Sequence, residues 1–197
     1  MIVIGITGPT GAGKTTALNE LEKLGGAVID CDAVYHEMLE SDITLQNMII
    51  NRFGDIRNEK NGIDRKKLGA IVFKDPQALK ELDQIVHKAI YDAVSGLIDG
   101  YRAAGTYRAA AIDAIGLFES GLNGLCDTTL AITAPAEIRV KRIMVREGIS
   151  ESYARSRVEA QKPDEFYTSR CAHILVNACA SREEFGERSR KLLEGIL

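Results

Sequence analysis

Eight residues near the start of the chain, Gly8-Pro9-Thr10-Gly11-Ala12-Gly13-Lys14-Thr15, follow the spacing G-x-x-x-x-G-K-[ST]. The chemistry served by that spacing is the binding of a polyphosphate. Glycines let a backbone curl until successive N–H groups point inward at phosphate oxygens. A helix that starts at the end of the loop adds partial positive charge. The backbone of Gly8, Gly11, Ala12 and Gly13 then forms the cradle. Lys14 reaches the β and γ phosphates of ATP, the Thr15 hydroxyl is a ligand for Mg2+, and Thr16 contacts the α phosphate. The run follows an apolar segment, Ile2–Ile6, and opens a helical pattern, which separates it from a glycine-rich turn with an incidental lysine. Alone it does not separate a kinase from a GTPase or a motor. No GTPase switch or guanine-reading motif accompanies it, and the chain is short for a motor.

Phosphoryl transfer to an alcohol needs a group that orients the hydroxyl and takes its proton. Asp32 lies just past the second apolar run, where the γ phosphate is expected, and is the best placed carboxylate. Asp30, two residues earlier, can hold magnesium through water, bind substrate, or cap the next helix. Asp113, at the end of a third run, can serve magnesium through water or be an ordinary turn residue. Transfer also needs positive charge on the moving group. Arg142 and Arg146 stand four apart on one helical face, able to swing over a triphosphate as part of a lid or to form a solvated basic face. Arg157, Gln161 and Lys162 fall in the same stretch. His36, His87 and His173 are too scattered for a metal site, and His87 lies near an apolar helical face.

Positioning these groups takes strands that end together. Short apolar runs at Ile2–Ile6, Ala27–Ile29, Ala109–Ile115, Thr129–Thr133 and Ile174–Val176 alternate with helical patterns. Thr15–Leu24 is the first helix, closed by Gly25-Gly26. Residues 33–101 hold no strong strand. There Asp75-Pro76 opens a long helix with Leu79, Leu82, Ile85, Val86, Ala89, Ile90, Ala93, Val94 and Leu97 on its apolar face. Pro135 and Ser150 open two more helices, the second running to about Gln161. The last begins in a capping box, Ser181 to Glu184. The alternation predicts an α/β fold, a doubly wound parallel sheet of five strands covered on both faces. Ligands of such sheets lie outside the carboxyl ends of the strands. The glycine loop, Asp30, Asp32 and Asp113 all fall at such ends.

Composition narrows the partners. A net charge of −3 gives no general affinity for nucleic acid or anionic membranes. No apolar run approaches the length of about 20 residues that spans a bilayer. Cys31, Cys126, Cys171 and Cys179 lack the tight spacing of a zinc or redox pair, so they read as reduced thiols of a cytoplasmic protein. Nothing in the pattern fixes an oligomeric state.

In order along nearly the whole chain, these residues resemble the dephospho-coenzyme A kinase family. The likeness runs through Ile6-Thr7-Gly8 to Thr16 and Val28-Ile29-Asp30-Cys31-Asp32. It continues in Gly62-Ile63-Asp64-Arg65 with Leu68-Gly69 and Val72-Phe73, in Asp113 with Leu117-Phe118-Glu119, in Arg142 to Gly148, in Arg157 and Gln161, and in Asn177. The glycine loop is shared by many families, whereas the D-x-D and D-R-x-x-L-G segments in this order are much more specific. The resemblance implies ATP-dependent phosphorylation of the ribose 3′-hydroxyl of dephospho-CoA, with Asp32 as base and Arg142 and Arg146 near ATP. It implies Thr7, Arg65, His87 and Glu119 toward the acceptor and Asn177 toward the nucleotide. It also implies a nucleotide-kinase core of residues 1–32, 105–140 and 170–197, a helical acceptor-binding region of 33–104 and a lid of 141–169. The chain departs from the family pattern at Lys88, where the family has proline, at Ile115 in D-x-P-L-L-F-E, and at His173. These departures bear on the acceptor pocket and adenine contacts and lie outside the phosphate chemistry. Two other readings are a P-loop kinase for a nucleoside or nucleoside monophosphate, and a regulatory module that binds nucleotide without transfer.

Overall fold

Ile2–Thr7 is a strand (β1) buried on both faces from Val3 onward, the environment of an inner strand of a covered parallel sheet. The computed structural model describes all 197 residues. After β1 come α1 (Lys14–Lys23), β2 (Gly26–Asp30), α2 (Cys31–Ser41), α3 (Ile43–Phe53), α4 (Arg65–Val72) and α5 (Pro76–Ala104). The chain continues through β3 (Ala109–Asp113), β4 (Thr128–Thr133), α6 (Ala136–Glu147), α7 (Glu151–Glu159), α8 (Asp164–Thr168), β5 (His173–Val176) and α9 (Arg182–Ile196). It forms two compact units, Met1–Ile29 with Ile98–Leu197, and Asp30–Leu97.

The first unit is built on a five-stranded parallel sheet in the order β2-β3-β1-β4-β5. β1 pairs with β3 on one side, Ile6 beside Asp113, and with β4 on the other, Thr7 beside Ala131. The chain leaves β1 toward β2 and leaves the adjacent β4 toward β5. Loops that diverge from neighbouring strands open a crevice at the carboxyl edge, and the glycine loop follows β1 at that point. One sheet face carries Ile4, Ile6, Ala109, Ala111, Leu130 and Ile132, packed with Leu18 and Leu21 of α1 and Phe185 and Leu193 of α9. Each large side chain buried there stabilises by about 1.5–3 kcal/mol. A one-residue slip would turn the whole set to the wrong face, so this packing fixes the register. A smaller core of Val140, Ile143, Ala154 and Val158 joins α6 to α7.

The second unit is helical. Asp30, Asp42 and Asp64 cap α2, α3 and α4, each accepting two backbone N–H bonds in the first turn of its helix. Asp75 likewise accepts from the N–H groups of Gln77 and Ala78 at the start of α5. Each such cap contributes about 1 kcal/mol. The buried stripe of α5 within this unit is Ala78, Leu82, Val86, Ile90 and Val94. Steps of four residues overshoot a full turn by about 40°, so the stripe drifts around the helix. This explains why Leu97, expected on the apolar face, is 39% exposed while Ile98 is 2% exposed. No helix is long and apolar enough to cross a membrane.

Two boundaries differ from the expectation. The third strand stops at Asp113 rather than Ile115. Ala114 N–H makes a last bond to the Ile6 carbonyl, and the Ile115 carbonyl then accepts from the Thr7 hydroxyl at 3.1 Å. The helix after Ser150 ends at Glu159, and the five residues of α8 follow. A segment that short shows no periodicity to read.

Candidate active site

The loop from Gly8 to Gly13 has positive φ at Gly8 (139°), Gly11 (81°) and Gly13 (111°). Neighbours forbid side chains at two of them. A Cβ on Gly8 would lie 1.9 Å from the Ile132 carbonyl oxygen, and one on Gly13 would lie 2.4 Å from Asn177 Nδ2. The loop's carbonyls face basic and amide groups. Arg139 Nε donates to Thr10 O at 3.0 Å. Arg142 Nη1 donates to Gly11 O at 3.2 Å and Ala12 O at 3.3 Å. Asn177 Nδ2 donates to Ala12 O at 2.8 Å, and its Oδ1 accepts from Arg142 Nη2 at 3.1 Å.

These contacts aim the loop's dipoles. In a trans peptide the N–H points opposite the C=O. Holding the carbonyls of Thr10 and Ala12 outward therefore turns the N–H groups of Gly11 and Gly13 inward. The N-terminus of α1 follows at once. Lys14 Nζ folds back to Gly8 O at 3.2 Å, across the same loop. The result is a concentration of N–H donors and one ammonium, which fits a phosphate chain. Burial pulls the guanidinium pKa values of Arg139 and Arg142 below their ordinary value, opposed at Arg139 by Asp164 and Tyr167 and at Arg142 by Cys179. Arginine remains charged in such settings.

Of the expected site residues, the fold brings Lys14, Arg142 and Asn177 onto the loop. Asn177 is 3% exposed and spends its amide on the loop's carbonyl side. Its replacement by leucine removes one of the two donors to the Ala12 carbonyl and leaves Arg142 Nη2 without its acceptor, so a loss of about 1–2 kcal/mol is expected. Urea unfolding checks this, and a loss below about 0.5 kcal/mol would remove Asn177 from the loop's support. Thr15 and Thr16 open α1, Thr15 exposed and Thr16 half-buried. Thr7 is fully buried with its hydroxyl on Ile115 O, and Asp113 ends β3 beside Ile6. Arg146 is exposed and bonds Glu147, which Arg157 also engages. Those bonds, Arg146 first, hold the Glu147 carboxyl below its usual range. Glu119 is exposed and lies close enough to Tyr167 to raise its pKa, after the larger effect of burial.

In the helical unit, Asp30 Oδ1 accepts from the N–H groups of Asp32 and Ala33 at 2.9 and 3.0 Å, the capping role. Asp32 then stands exposed in the first turn of α2. Arg65 opens α4, exposed, and counters the burial that raises the Tyr35 pKa. His87 is half-buried on α5. No group of three or more His, Cys, Asp or Glu side chains gathers as a metal cage. Magnesium suits such a site when phosphates supply most of its ligands and the protein adds few. A threonine hydroxyl at the head of α1 fits that share.

Sequence reading did not single out Arg139 or Thr10. Arg139 was one of several cations on a helix, and only the tertiary fold reveals that it is 5% exposed. Thr10 occupies a variable position of the loop motif, so its type carried no signal.

The family model for dephospho-CoA kinase matches residues 2–183. A dephospho-CoA kinase of Dehalococcoides mccartyi is 35% identical over 180 residues, covering 91% of this chain and 90% of that protein. A solved structure from Thermus thermophilus matches with a TM-score of 0.81 at 31% identity, over 100% of this chain and 97% of that one. A dephospho-CoA kinase from Campylobacter jejuni matches with a TM-score of 0.71 at 25% identity, over 98% and 96%.

Proposed function

The chain belongs to the dephospho-CoA kinase family, and from that premise we propose that it transfers the γ-phosphoryl group of ATP to the ribose 3′-hydroxyl of dephospho-CoA, giving CoA and ADP. ATP-dependent phosphoryl transfer is the chemistry of this P-loop kinase family. The observation that carries the donor half is the loop itself, with its carbonyls held outward by Arg139, Arg142 and Asn177. The acceptor half rests on family membership and on the Asp64-Arg65 and Leu68-Gly69 segment that opens α4.

The residues divide the work as follows. Gly11 and Gly13 N–H groups and the head of α1 bind the phosphates, with Ala12 shaping the turn. Lys14 stabilises the charge that gathers on the β–γ bridge and the moving phosphoryl group. Thr15 would offer its hydroxyl to magnesium, which would supply positive charge against the phosphate oxygens. Thr16 contacts the α phosphate, and Asp30 and Asp113 would serve the metal through water. Asp32 accepts the hydroxyl proton as the 3′ oxygen bonds to the γ phosphorus and the bond from that phosphorus to the β–γ bridging oxygen breaks. Arg65 and His87 of the helical region, residues 33–104, and Thr7 and Glu119 of the core serve the acceptor. Residues 141–169 form a lid that carries Arg146.

A coupled ADP-release assay tests this reading. Turnover is expected only with ATP, Mg2+ and dephospho-CoA together, with the product phosphorylated at the 3′ position by mass spectrometry and phosphorus NMR. Turnover on a nucleoside monophosphate but not on dephospho-CoA would sink the acceptor assignment. ATP binding with no turnover on any acceptor would identify a regulatory module instead.

A further inference from the structure

Arg139 is a buried cation in the middle of a polar cluster. Its Nε donates to Thr10 O, Nη2 donates to Gln161 Oε1, and Nη1 lies 3.7 Å from Asp164 Oδ1. Gln161 closes the triangle. Its Oε1 accepts from Thr10 N–H at 3.1 Å and its Nε2 donates to Thr10 Oγ1 at 2.8 Å. The N–H, the carbonyl and the hydroxyl of Thr10 are all engaged from outside the loop. Their partners come from α6 and from the turn after α7, while Asp164 at the start of α8 faces Arg139. The buried Tyr167 ring lies beside the cluster and packs edge-to-face on Phe166, which in turn meets Phe118 at 6.5 Å.

We propose that Arg139 and Gln161 are positioning residues for phosphoryl transfer: they fix the crown of the phosphate loop through Thr10 and so couple nucleotide binding to the placement of residues 158–168. Three features carry this. Thr10 stands in the loop that binds phosphate, so its orientation sets that of the Gly11 N–H next to it. Its holders lie far away in sequence, 151 residues for Gln161 and 129 for Arg139, and the Gln161 half of the link exists only while the α7–α8 stretch stays docked. The planar fork of arginine serves a carbonyl, an amide and a carboxylate at once, which a lysine ammonium does not match. A nucleotide that favours the bonded form of the loop then favours the docked stretch, and the coupling is reciprocal. This inference rests on nucleotide binding at the loop as proposed above and is independent of the acceptor's identity.

The test uses the full chain with Mg-ADP as probe. Binding is measured by calorimetry and residues 8–16 and 158–168 are followed by hydrogen exchange. In the unaltered protein ADP is expected to slow exchange in both segments. In Gln161→Leu, ADP is expected to bind about tenfold more weakly, still protecting residues 8–16 but no longer residues 158–168. Arg139→Lys is expected to fall between the two. Arg139→Met risks the fold, whereas Gln161 is half-buried and Gln161→Leu keeps a foldable chain. An unchanged ADP affinity and unchanged protection of 158–168 in Gln161→Leu would overturn the proposal. So would a lowered Tm in Arg139→Lys and Gln161→Leu with no change in either readout, since that is a structural role alone. Failure of the unaltered chain to bind ADP would sink the proposed function first and this inference with it.

Discussion

Gly8→Ala is expected to lower stability by at least about 3 kcal/mol and to weaken ADP binding at least about tenfold. The backbone at Gly8 has φ of 139°, a region that costs a residue with a Cβ about 1–3 kcal/mol. The added carbon would sit 1.9 Å from the oxygen and 2.9 Å from the carbon of the Ile132 carbonyl group. That obstacle is backbone in β4, which pairs with β1 through Ile6–Leu130 and with β5 through Ile132–Leu175. β4 cannot retreat without breaking two ladders, so the loop must move and its N–H groups lose their aim. Gly121→Ala is the control. Gly121 also has positive φ, 75°, but a Cβ there meets nothing within 4 Å, so only the conformational cost of about 1 kcal/mol remains. For a chain of this size each kcal/mol moves Tm by about 2–4 °C. Thermal unfolding and ADP calorimetry on both variants separate the effects. Equal losses in the two would show that contact with β4 does not determine the loop's shape.

Asp32→Asn is expected to lower kcat by about 10²–10⁴ while KM for ATP stays within about threefold. Asparagine keeps the size of the side chain and removes its ability to accept a proton at neutral pH. The start of α2 should survive the change, because its cap is Asp30 Oδ1, which takes the backbone N–H groups of residues 32 and 33. Asp30→Asn supplies the comparison. Asparagine caps a helix about as well as aspartate, so Asp30→Asn keeps the cap while removing the charge offered to the metal, and a kcat loss in Asp32→Asn well beyond the loss in Asp30→Asn assigns the excess to proton transfer. An unchanged kcat in Asp32→Asn would falsify the role of Asp32 as base. Steady-state kinetics with saturating dephospho-CoA gives both parameters.

The two experiments probe features of different legibility. The Gly8–Thr15 loop could be read in the sequence because its chemistry is local: eight consecutive residues determine the turn, the lysine and the start of the helix. The strands were legible for a similar reason, since short apolar runs between helical patterns have few alternatives, and each of the five is found. The cap at Ser181 is also there, with Glu184 N–H on Ser181 Oγ at 3.1 Å, although the Glu184 carboxylate accepts from Ala180 N–H rather than closing the box on Ser181. Asp30 and Asp32 stayed ambiguous because a carboxylate after a strand serves a cap and a reaction equally well. The hydrogen bonds assign the cap to Asp30.

By itself the sequence determined a phosphate loop, a five-stranded parallel sheet and the resemblance to a kinase family, because these depend on neighbours along the chain and on periodicity. Only the tertiary structure decided how the loop is held. Arg139, Arg142, Gln161 and Asn177 reach it from positions 129 to 165 residues away. Nothing in the local pattern around those residues distinguishes a cation that supports a loop carbonyl from one in solvent. Arg142 and Arg146 are the same residue four positions apart, yet one bonds the loop's backbone and the other an exposed glutamate. The physical reason is that an orphan carbonyl and its distant donor meet only after the sheet has set β4 and β5 beside β1.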